Sequence, residues 1–147
     1  MYKHILIPTD GSELSDKAID AGVDFAREVK ARVTGFTAVP EYQFPSEVEM
    51  MARRGISPEE HERRSKEQAE RTLRKLAERA RAAGVEYDAD YAQSDRPHDA
   101  IIRAAEKHGC DLIFMASHGR RGISALIHGS ETQAVLTHST IPTLVYR

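Results

Sequence analysis

The sequence predicts an α/β fold in which a five-stranded parallel sheet carries helices on both faces. Short apolar runs rich in β-branched residues alternate with amphipathic helical patterns along the whole chain. This alternation is typical of parallel sheets whose strands are joined by right-handed helical crossovers. The chain has 147 residues, of which 40% are apolar and 30% charged, so we expect one domain over residues 1–147 with a buried core.

The first elements have clear boundaries in the sequence. Ile5 to Pro8 is a short apolar run typical of a buried strand, and the turn from Thr9 to Ser12 ends in a serine suited to cap a helix. Apolar residues then recur at spacings of three and four, which predicts an amphipathic helix ending near Lys30. Arg32 to Val39 is rich in β-branched and aromatic residues and predicts the second strand, which Pro40 closes.

The middle of the chain predicts a loop and then a long helix. Residues 41–56 form the loop, with a short helix around Ser46 to Arg54. Ser57-Pro-Glu-Glu60 combines a serine cap, a proline at the first helical position and a glutamate three residues after the cap, which is a capping-box pattern. We expect this helix to end at Gly84. Its apolar stripe consists of Ala69, Leu73, Leu76, Ala80 and Ala83.

The last third of the chain continues the alternation of strands and helices. The predicted elements are a strand over Val85–Gln93, a helix over Pro97–Glu106, a strand over Asp111–Ala116, a helix over Ser130–His138 and a strand over Thr143–Tyr146. Asp95 is a candidate cap for the helix that begins at Pro97.

Charge and composition exclude several classes of function. The 21 basic and 23 acidic residues give a net charge of −2, which argues against general binding to nucleic acid or to an anionic membrane. No apolar run approaches the roughly 20 residues that span a bilayer. Cys110 is the single cysteine, and the N-terminus enters a short strand without a long apolar signal core, so we expect a cytoplasmic protein. No GxxxxGK[ST] pattern of a P-loop ATPase is present.

A glycine-rich segment from Ala116 to Ser130 follows the fourth predicted strand and leads into a helix. The first N–H groups of a helix have no partners within it, and glycines let an anion approach them closely, so this junction is suited to phosphate. Pro8-Thr9-Asp10 follows the first strand in the same way. Ligands of such sheets bind at the carboxyl ends of the strands where the strand order reverses, which makes both segments candidate binding sites.

Other candidate sites carry weaker signals. His118, His128 and His138 recur every ten residues, a spacing that brings them to one metal in neither a helix nor a strand. Cys110 precedes an apolar strand and is interpreted as a small, partly buried side chain. Asp10 fits either a turn cap or a catalytic base. A true enzyme would need a cluster of catalytic groups, for which the loops offer only Asp10, His118 and arginines.

The chain resembles the nucleotide-binding members of the universal stress protein family over essentially its whole length. The matching segments are Ile5-Leu-Ile-Pro-Thr-Asp-Gly-Ser12, Ser117-His-Gly119, Gly129-Ser130 and Ile141-Pro-Thr-Leu-Val145. The family's loop has a glycine, two residues, a second glycine, nine residues, and a third glycine followed by serine or threonine. Ala116 stands at the first glycine position. If Ala116 keeps strand geometry, this replacement costs no backbone strain; a positive φ there would cost about 1 kcal/mol.

The resemblance implies an adenine nucleotide alpha hydrolase-like, Rossmann-like fold with strand order 3-2-1-4-5, and ATP or AMP as the ligand. Thr9 and Asp10 would lie near the ribose and phosphates, with Asp10 an indirect partner of Mg²⁺ and no direct metal ligand. Ala38 and Met115 would lie near the base. Backbone N–H groups of His118, Gly119, Gly129 and Ser130 would hold phosphates, with hydroxyls of Ser130 and Thr132 as further donors and Arg120 and Arg121 as optional counter-charges. The expected nucleotide-binding set is Pro8, Thr9, Asp10, Ala38, Met115, Ala116, His118, Gly119, Arg120, Gly129, Ser130, Glu131 and Thr132.

The resemblance also implies how the protein acts. It suggests a small stress-response module that works by regulation or partner binding, with slow ATP hydrolysis at most and no assigned catalytic residue. It further suggests a homodimer formed through the C-terminal strand, Ile141 to Tyr146, because a fairly apolar edge strand needs cover or a partner. The alternative is a dimeric interaction module that has the fold without the nucleotide, and the departure at Ala116 favours it.

Overall fold

The computed structural model describes residues 1–117 and 129–147, which form one sheet and the helices packed on it. The strands are β1 (His4–Pro8), β2 (Arg32–Val39), β3 (Tyr87–Gln93), β4 (Leu112–Ala116) and β5 (Thr143–Tyr146). The helices are α1 (Glu13–Val29), α2 (Glu47–Met51), α3 (Pro58–Ala82), α4 (Pro97–Lys107) and α5 (Ser130–His138). None of these helices is long and apolar enough to cross a membrane.

The sheet has the strand order β3-β2-β1-β4-β5, and every pair of neighbours is parallel. This confirms the five-stranded parallel sheet and its expected order. Ile5 of β1 is in register with Val33 on one side and Leu112 on the other. Successive strands are added toward one edge up to β3 and toward the other edge from β4 onward. The strand order therefore reverses between β1 and β4, whose carboxyl ends lie side by side.

The core lies on both faces of the sheet because successive strand residues point to opposite sides. On one face Ile5 and Ile7 pack with Leu76 of α3 and other buried residues of α1. On the opposite face Leu6 packs with Ile101 of α4 and with part of α5. All five residues of β1 are buried, which explains why this central strand is a continuous apolar run without polar alternation.

The long helix begins as predicted, but only half of its expected capping box forms. The Oγ of Ser57 accepts from the N–H of Glu60 at 3.1 Å. The carboxylate of Glu60 does not return to the serine, because it binds the guanidinium groups of Arg63 and Arg64 one turn later. A complete capping box stands instead at Ser46, which opens α2.

Three further boundaries differ from the sequence prediction. Asp95 does not cap α4: its Oδ1 accepts from the N–H of Glu41 at 3.2 Å, and the N-cap residue is Arg96. β3 begins two residues later than expected, because the N–H of Val85 still donates to Ala80 O at the end of α3. β4 begins at Leu112, because the carboxylate of Asp111 accepts from the amides of residues 3 and 4 before the strand starts.

Candidate functional site

A cavity of about 470 Å³ opens at the carboxyl ends of β1, β2 and β4, beside the first turn of α5. All of the described residues that the sequence assigned to nucleotide binding line it: Pro8, Thr9, Asp10, Ala38, Met115, Ala116, Gly129, Ser130, Glu131 and Thr132. The sequence analysis missed six other lining residues: Ser15, Phe36, Thr37, Asp95, Pro97 and Ile101. The expected contributions of His118, Gly119, Arg120 and Arg121 lie outside the described residues.

The turn after β1 holds its polar side chains against this cavity. The N–H of Thr9 donates to Phe36 O at 2.9 Å, which ties the turn to β2. The Oγ1 of Thr9 accepts from the N–H of Gly11 at 3.2 Å, and Oδ1 of Asp10 accepts from the N–H of Ser12 at 2.9 Å. Gly11 has a φ of 78°, which a residue with a Cβ adopts only with strain. Asp10 therefore shapes the turn and lines the cavity at once.

Ala116, at the first glycine position of the loop, is an ordinary strand residue. It is the last residue of β4 and is in register with Tyr146 of β5. Within the described ranges only Lys30 and Arg53 are non-glycine residues with positive φ. The replacement of glycine therefore costs no backbone strain, and only the added methyl group distinguishes this site from one with glycine.

The start of α5 offers fewer free donors than the sequence suggested. Gly129 is the N-cap residue, and no side-chain hydrogen bond caps the helix. However, the N–H of Gly129 donates to Ser117 O at 2.7 Å, and its expected use for phosphate, which stays a prediction, would require that hydrogen bond to be exchanged. The hydroxyl of Thr132 is also engaged, because it donates to Ala116 O at 2.9 Å. The backbone amides from Ser130 onward remain the candidate anion donors, since a helix cannot satisfy them internally.

Glu131 contacts His98, a pairing that the sequence does not predict. Its Oε2 accepts from the backbone N–H of His98 at 2.7 Å and lies 3.0 Å from the Nδ1 of the same residue. His98 stands in the first turn of α4, whose own N-cap residue Arg96 makes no side-chain cap. Glu131 therefore caps α4 from the first turn of α5 and joins the ends of the two helices.

The described wall of the cavity is acidic. Its charged residues are Asp10, Asp95 and Glu131, and the described lining contains no lysine, arginine or histidine. In residues 1–117 and 129–147 no group of three or more histidine, cysteine, aspartate or glutamate side chains is suited to hold a metal ion. Mg²⁺ keeps several waters and often needs only one carboxylate beside a ligand's phosphates, and the indirect role that the resemblance implies for Asp10 stays a prediction.

Cys110 takes no part in this site. The residue is buried more completely than the partial burial that the sequence suggested. Burial raises the pKa of its thiol to about 11, and the nearby charge of Asp111 acts in the same direction. The thiol is therefore protonated at neutral pH and is a poor nucleophile.

Comparisons with known proteins agree with the fold. The model of the universal stress protein family matches residues 1–147. Universal stress protein YxiE of Bacillus subtilis is 30% identical over 163 aligned positions that cover 100% of both chains. The solved structure of MJ0577 from Methanocaldococcus jannaschii is 28% identical, with a TM-score of 0.75 over 99% of this chain and 95% of the other. A universal stress protein from Archaeoglobus fulgidus in complex with dAMP, 16% identical, shares the fold with a TM-score of 0.69 over 99% of this chain and 98% of the other.

Proposed function

Because the chain belongs to the universal stress protein family, we propose that this stress-response module binds an adenine nucleotide, ATP or AMP, in the cavity between β1 and β4. The module acts in the cytoplasm by regulation or partner binding and hydrolyses ATP slowly at most. The observation that carries the proposal is the convergence of residues from β1, β2, β4 and α5, far apart in sequence, on one cavity.

The size and chemistry of the cavity support this proposal. A volume of about 470 Å³ falls within the range of small-molecule sites, roughly 300–1,000 Å³. Phe36, Ile101 and Met115 supply apolar surface for a base, whereas the first turn of α5 supplies amides for a phosphate. Asp10 would hold Mg²⁺ through water when a polyphosphate is bound. The dAMP complex of the A. fulgidus protein is a neighbour in fold alone, so the proposal depends on this chain's own residues.

The test is a calorimetric titration of nucleotide-stripped protein with ATP and with AMP, each with and without Mg²⁺. We expect saturable binding at micromolar ligand and a higher melting temperature in its presence. Absence of heat up to millimolar nucleotide, together with an unchanged melting temperature, would contradict the proposal.

Replacement of Gly129 by Val tests the phosphate end of the site. Gly129 has a φ of −57°, which valine tolerates, so the fold should persist while the branched Cβ obstructs the approach of an anion to α5. We expect loss of nucleotide binding with little change in the free energy of unfolding, measured by calorimetry and by urea denaturation. Gly129→Ala is the matched control with a smaller side chain and should retain part of the affinity. Binding by the valine variant at the wild-type level would show that the phosphate does not lie there.

The second candidate function is a dimeric interaction module that does not bind nucleotide. Two observations favour it: the N–H of Gly129 is already occupied by Ser117 O, and the charged side chains in the described cavity wall are all carboxylates. This candidate predicts a dimer in solution that shows neither binding heat nor a melting shift with ATP or AMP. The same titration therefore distinguishes the two functions.

A further inference from the structure

The segment between β2 and α3 carries most of the large apolar side chains that stay exposed. In residues 1–117 and 129–147 these side chains are Met1, Phe44, Val48, Met50, Met51 and Leu136. Four of the six fall in residues 44–51, and Phe44, Val48 and Met51 are 84%, 76% and 87% exposed. Exposed apolar groups concentrated in this way mark surfaces that bind a partner, and methionine is common at such surfaces. We call Phe44, Val48, Met50 and Met51 the α2 surface.

α2 is a regular helix although none of its five residues is buried. Most helical stability in proteins comes from the packing of an apolar face, and a helix of this length is too short to be stable alone. The capping box at Ser46 supports its first turn. The hydroxyl of Tyr42 donates to Ile56 O at 2.8 Å and closes the base of the segment. The segment therefore presents its apolar side chains outward from a closed base.

The α2 surface is separate from the cavity and from β5. None of its four residues lines the cavity. The N–H of Glu41 donates to Asp95, in the loop after β3, and the Nε2 of His61 lies 3.1 Å from Pro40 O. The base of the segment therefore lies at the β2–β3 side of the sheet, and β1 and β4 separate β2 from β5. This surface is distinct from the edge strand that the resemblance assigns to a dimer.

The charges that flank the α2 surface have opposite signs at its two ends. Glu47 lies in the first turn of α2, and Arg53 and Arg54 follow the end of the helix. None of these three side chains forms an ion pair with a described residue. A uniformly basic or acidic partner would be attracted at one end and repelled at the other. A second copy of α2 in antiparallel orientation sets basic against acidic at both ends, with the apolar side chains between them.

We propose that the α2 surface binds the α2 surface of a second copy of this chain in antiparallel orientation. The inference concerns a partner of the module and does not depend on nucleotide binding. Val48 and Met51, three residues apart, lie on one face of the helix and supply the apolar contact. Glu47 of each copy faces Arg53 and Arg54 of the other, and these contacts determine the orientation. Few side chains take part, so the contact is weak and forms at about 100 µM protein.

The experiment is sedimentation equilibrium of the whole chain at low salt, from about 5 to about 500 µM protein. Glu47→Arg gives a variant whose α2 has two basic ends, and Arg53→Glu/Arg54→Glu gives one with two acidic ends. Each variant is measured alone, and the two are then mixed in equal amounts. Glu106→Arg and Arg71→Glu/Arg74→Glu make the same changes of charge at exposed positions of α4 and α3 and are the matched controls. Melting temperatures confirm that each variant is folded.

We expect the average mass of the wild type to double over this range, from monomer to dimer if β5 does not pair and from dimer to tetramer if it does. Each charge-reversed variant alone should associate roughly tenfold more weakly, because like charges then meet at both ends. The equal mixture should regain the doubling, since opposite charges meet again between unlike copies. Met51→Ser removes an exposed apolar side chain and should also weaken the association. The two controls should behave as the wild type does.

Three results would overturn the inference. A wild-type mass that stays constant with concentration would assign the α2 surface to a different partner. Charge-reversed variants that associate as tightly as the wild type would show that the charges do not meet across an interface. A loss of association that mixing does not restore would mean that the substitutions act within one chain. Nucleotide binding is measured separately by the calorimetric titration, so failure of this inference and failure of the proposed function are distinguishable.

Discussion

At the residue scale, Tyr87 of β3 packs closely over Gly35 of β2. A Cβ added to Gly35 would lie 2.6 Å from the Tyr87 hydroxyl and 2.7 Å from a methyl of Leu76, so any larger residue there requires these side chains to move. The hydroxyl of Tyr87 is buried without a hydrogen-bond partner among the described residues. Burial, with the charge of Asp88 beside it, raises its pKa to about 12.

Replacement of Tyr87 by Phe should stabilise the protein. The phenol loses its hydrogen bonds to water on folding and gains none in return, so its removal should raise the free energy of unfolding by about 1 kcal/mol. Urea denaturation measures the change. The control is Tyr42→Phe, which removes a hydroxyl that donates to Ile56 O at 2.8 Å and should lower stability by about 1 kcal/mol. A loss of stability in Tyr87→Phe would show that this hydroxyl has a partner in solution.

His4, at the start of β1, should make stability depend on pH. Burial lowers the pKa of its imidazole, and the positive charges of Arg32 and His108 act in the same direction. Its Nε2 lies 2.7 Å from the Thr34 Oγ1, and its Nδ1 has no partner among the described residues. A histidine whose pKa is lower in the folded state contributes stability above its unfolded pKa of about 6.5, and this contribution is lost as the pH falls through the folded pKa.

We therefore expect the free energy of unfolding to fall as the pH drops below about 6.5, and to fall less steeply in His4→Gln. Chemical denaturation from pH 8 to pH 5 measures both slopes. His138→Gln makes the same chemical change at an exposed position and should keep the wild-type slope. Equal slopes in the wild type and His4→Gln would mean that His4 stays neutral or stays charged in both states.

At the element scale, helix ends show how far local sequence determines structure here. Ser12 caps the start of α1 and Gly84 follows the end of α3, as the sequence predicts. Capping residues and residues with a left-handed backbone affect only the adjacent helical turn, so a local pattern is enough to identify them. The capping box predicted at Ser57 is incomplete, since nearby arginines compete for the Glu60 carboxylate. A complete box forms at Ser46, where the same serine-glutamate spacing occurs and no arginine binds the glutamate among the described residues.

Lys30 and Gly84 form a matched pair for testing these ends. Both have left-handed backbones, with φ of 60° and 69°, and a Cβ at Gly84 would meet no atom within 4 Å. Lys30→Gly should raise the free energy of unfolding, and Gly84→Ala should lower it, each by about 1 kcal/mol. Denaturation with urea gives both values. A change of the same sign in the two variants would show that contacts, and not backbone conformation, control these positions.

The sequence predicts some residues of the candidate site and misses others. Residues directly after β1 and β4 were identified because strand ends and glycine loops are visible in the sequence. The strand order came from the family resemblance, since spacing alone does not order parallel strands. The contact between Glu131 and His98 joins residues 33 positions apart, and the exposed loop residue Asp95 reaches the cavity from beyond β3. Only the tertiary fold brings these residues to the cavity, so no local sequence pattern predicts them.

At the scale of the whole molecule, the two edges of the sheet differ in how well they are protected. Along β3 the N–H groups of Ala89 and Tyr91 are occupied by the carboxylates of Asp88 and Asp90, at 2.9 and 2.8 Å. Charged side chains placed in this way discourage pairing with another strand. The opposite edge, β5, has the sequence Thr-Leu-Val-Tyr and is only partly buried. A second copy of the chain would therefore pair at β5, which agrees with the proposed dimer through Ile141 to Tyr146.

Replacement of Val145 by Pro tests this dimer. The N–H of Ser117 donates to Tyr146 O, so Tyr146 faces β4 and the alternation of a parallel strand turns the N–H of Val145 to the free edge. Proline removes that donor and should convert a dimer to a monomer while the sheet persists. Light scattering at micromolar protein measures the mass, and circular dichroism checks the fold. Ala89→Pro makes the same change on β3 and should leave the dimer mass unaltered. A monomeric wild type, or a Val145→Pro variant that stays dimeric, would place the interaction elsewhere.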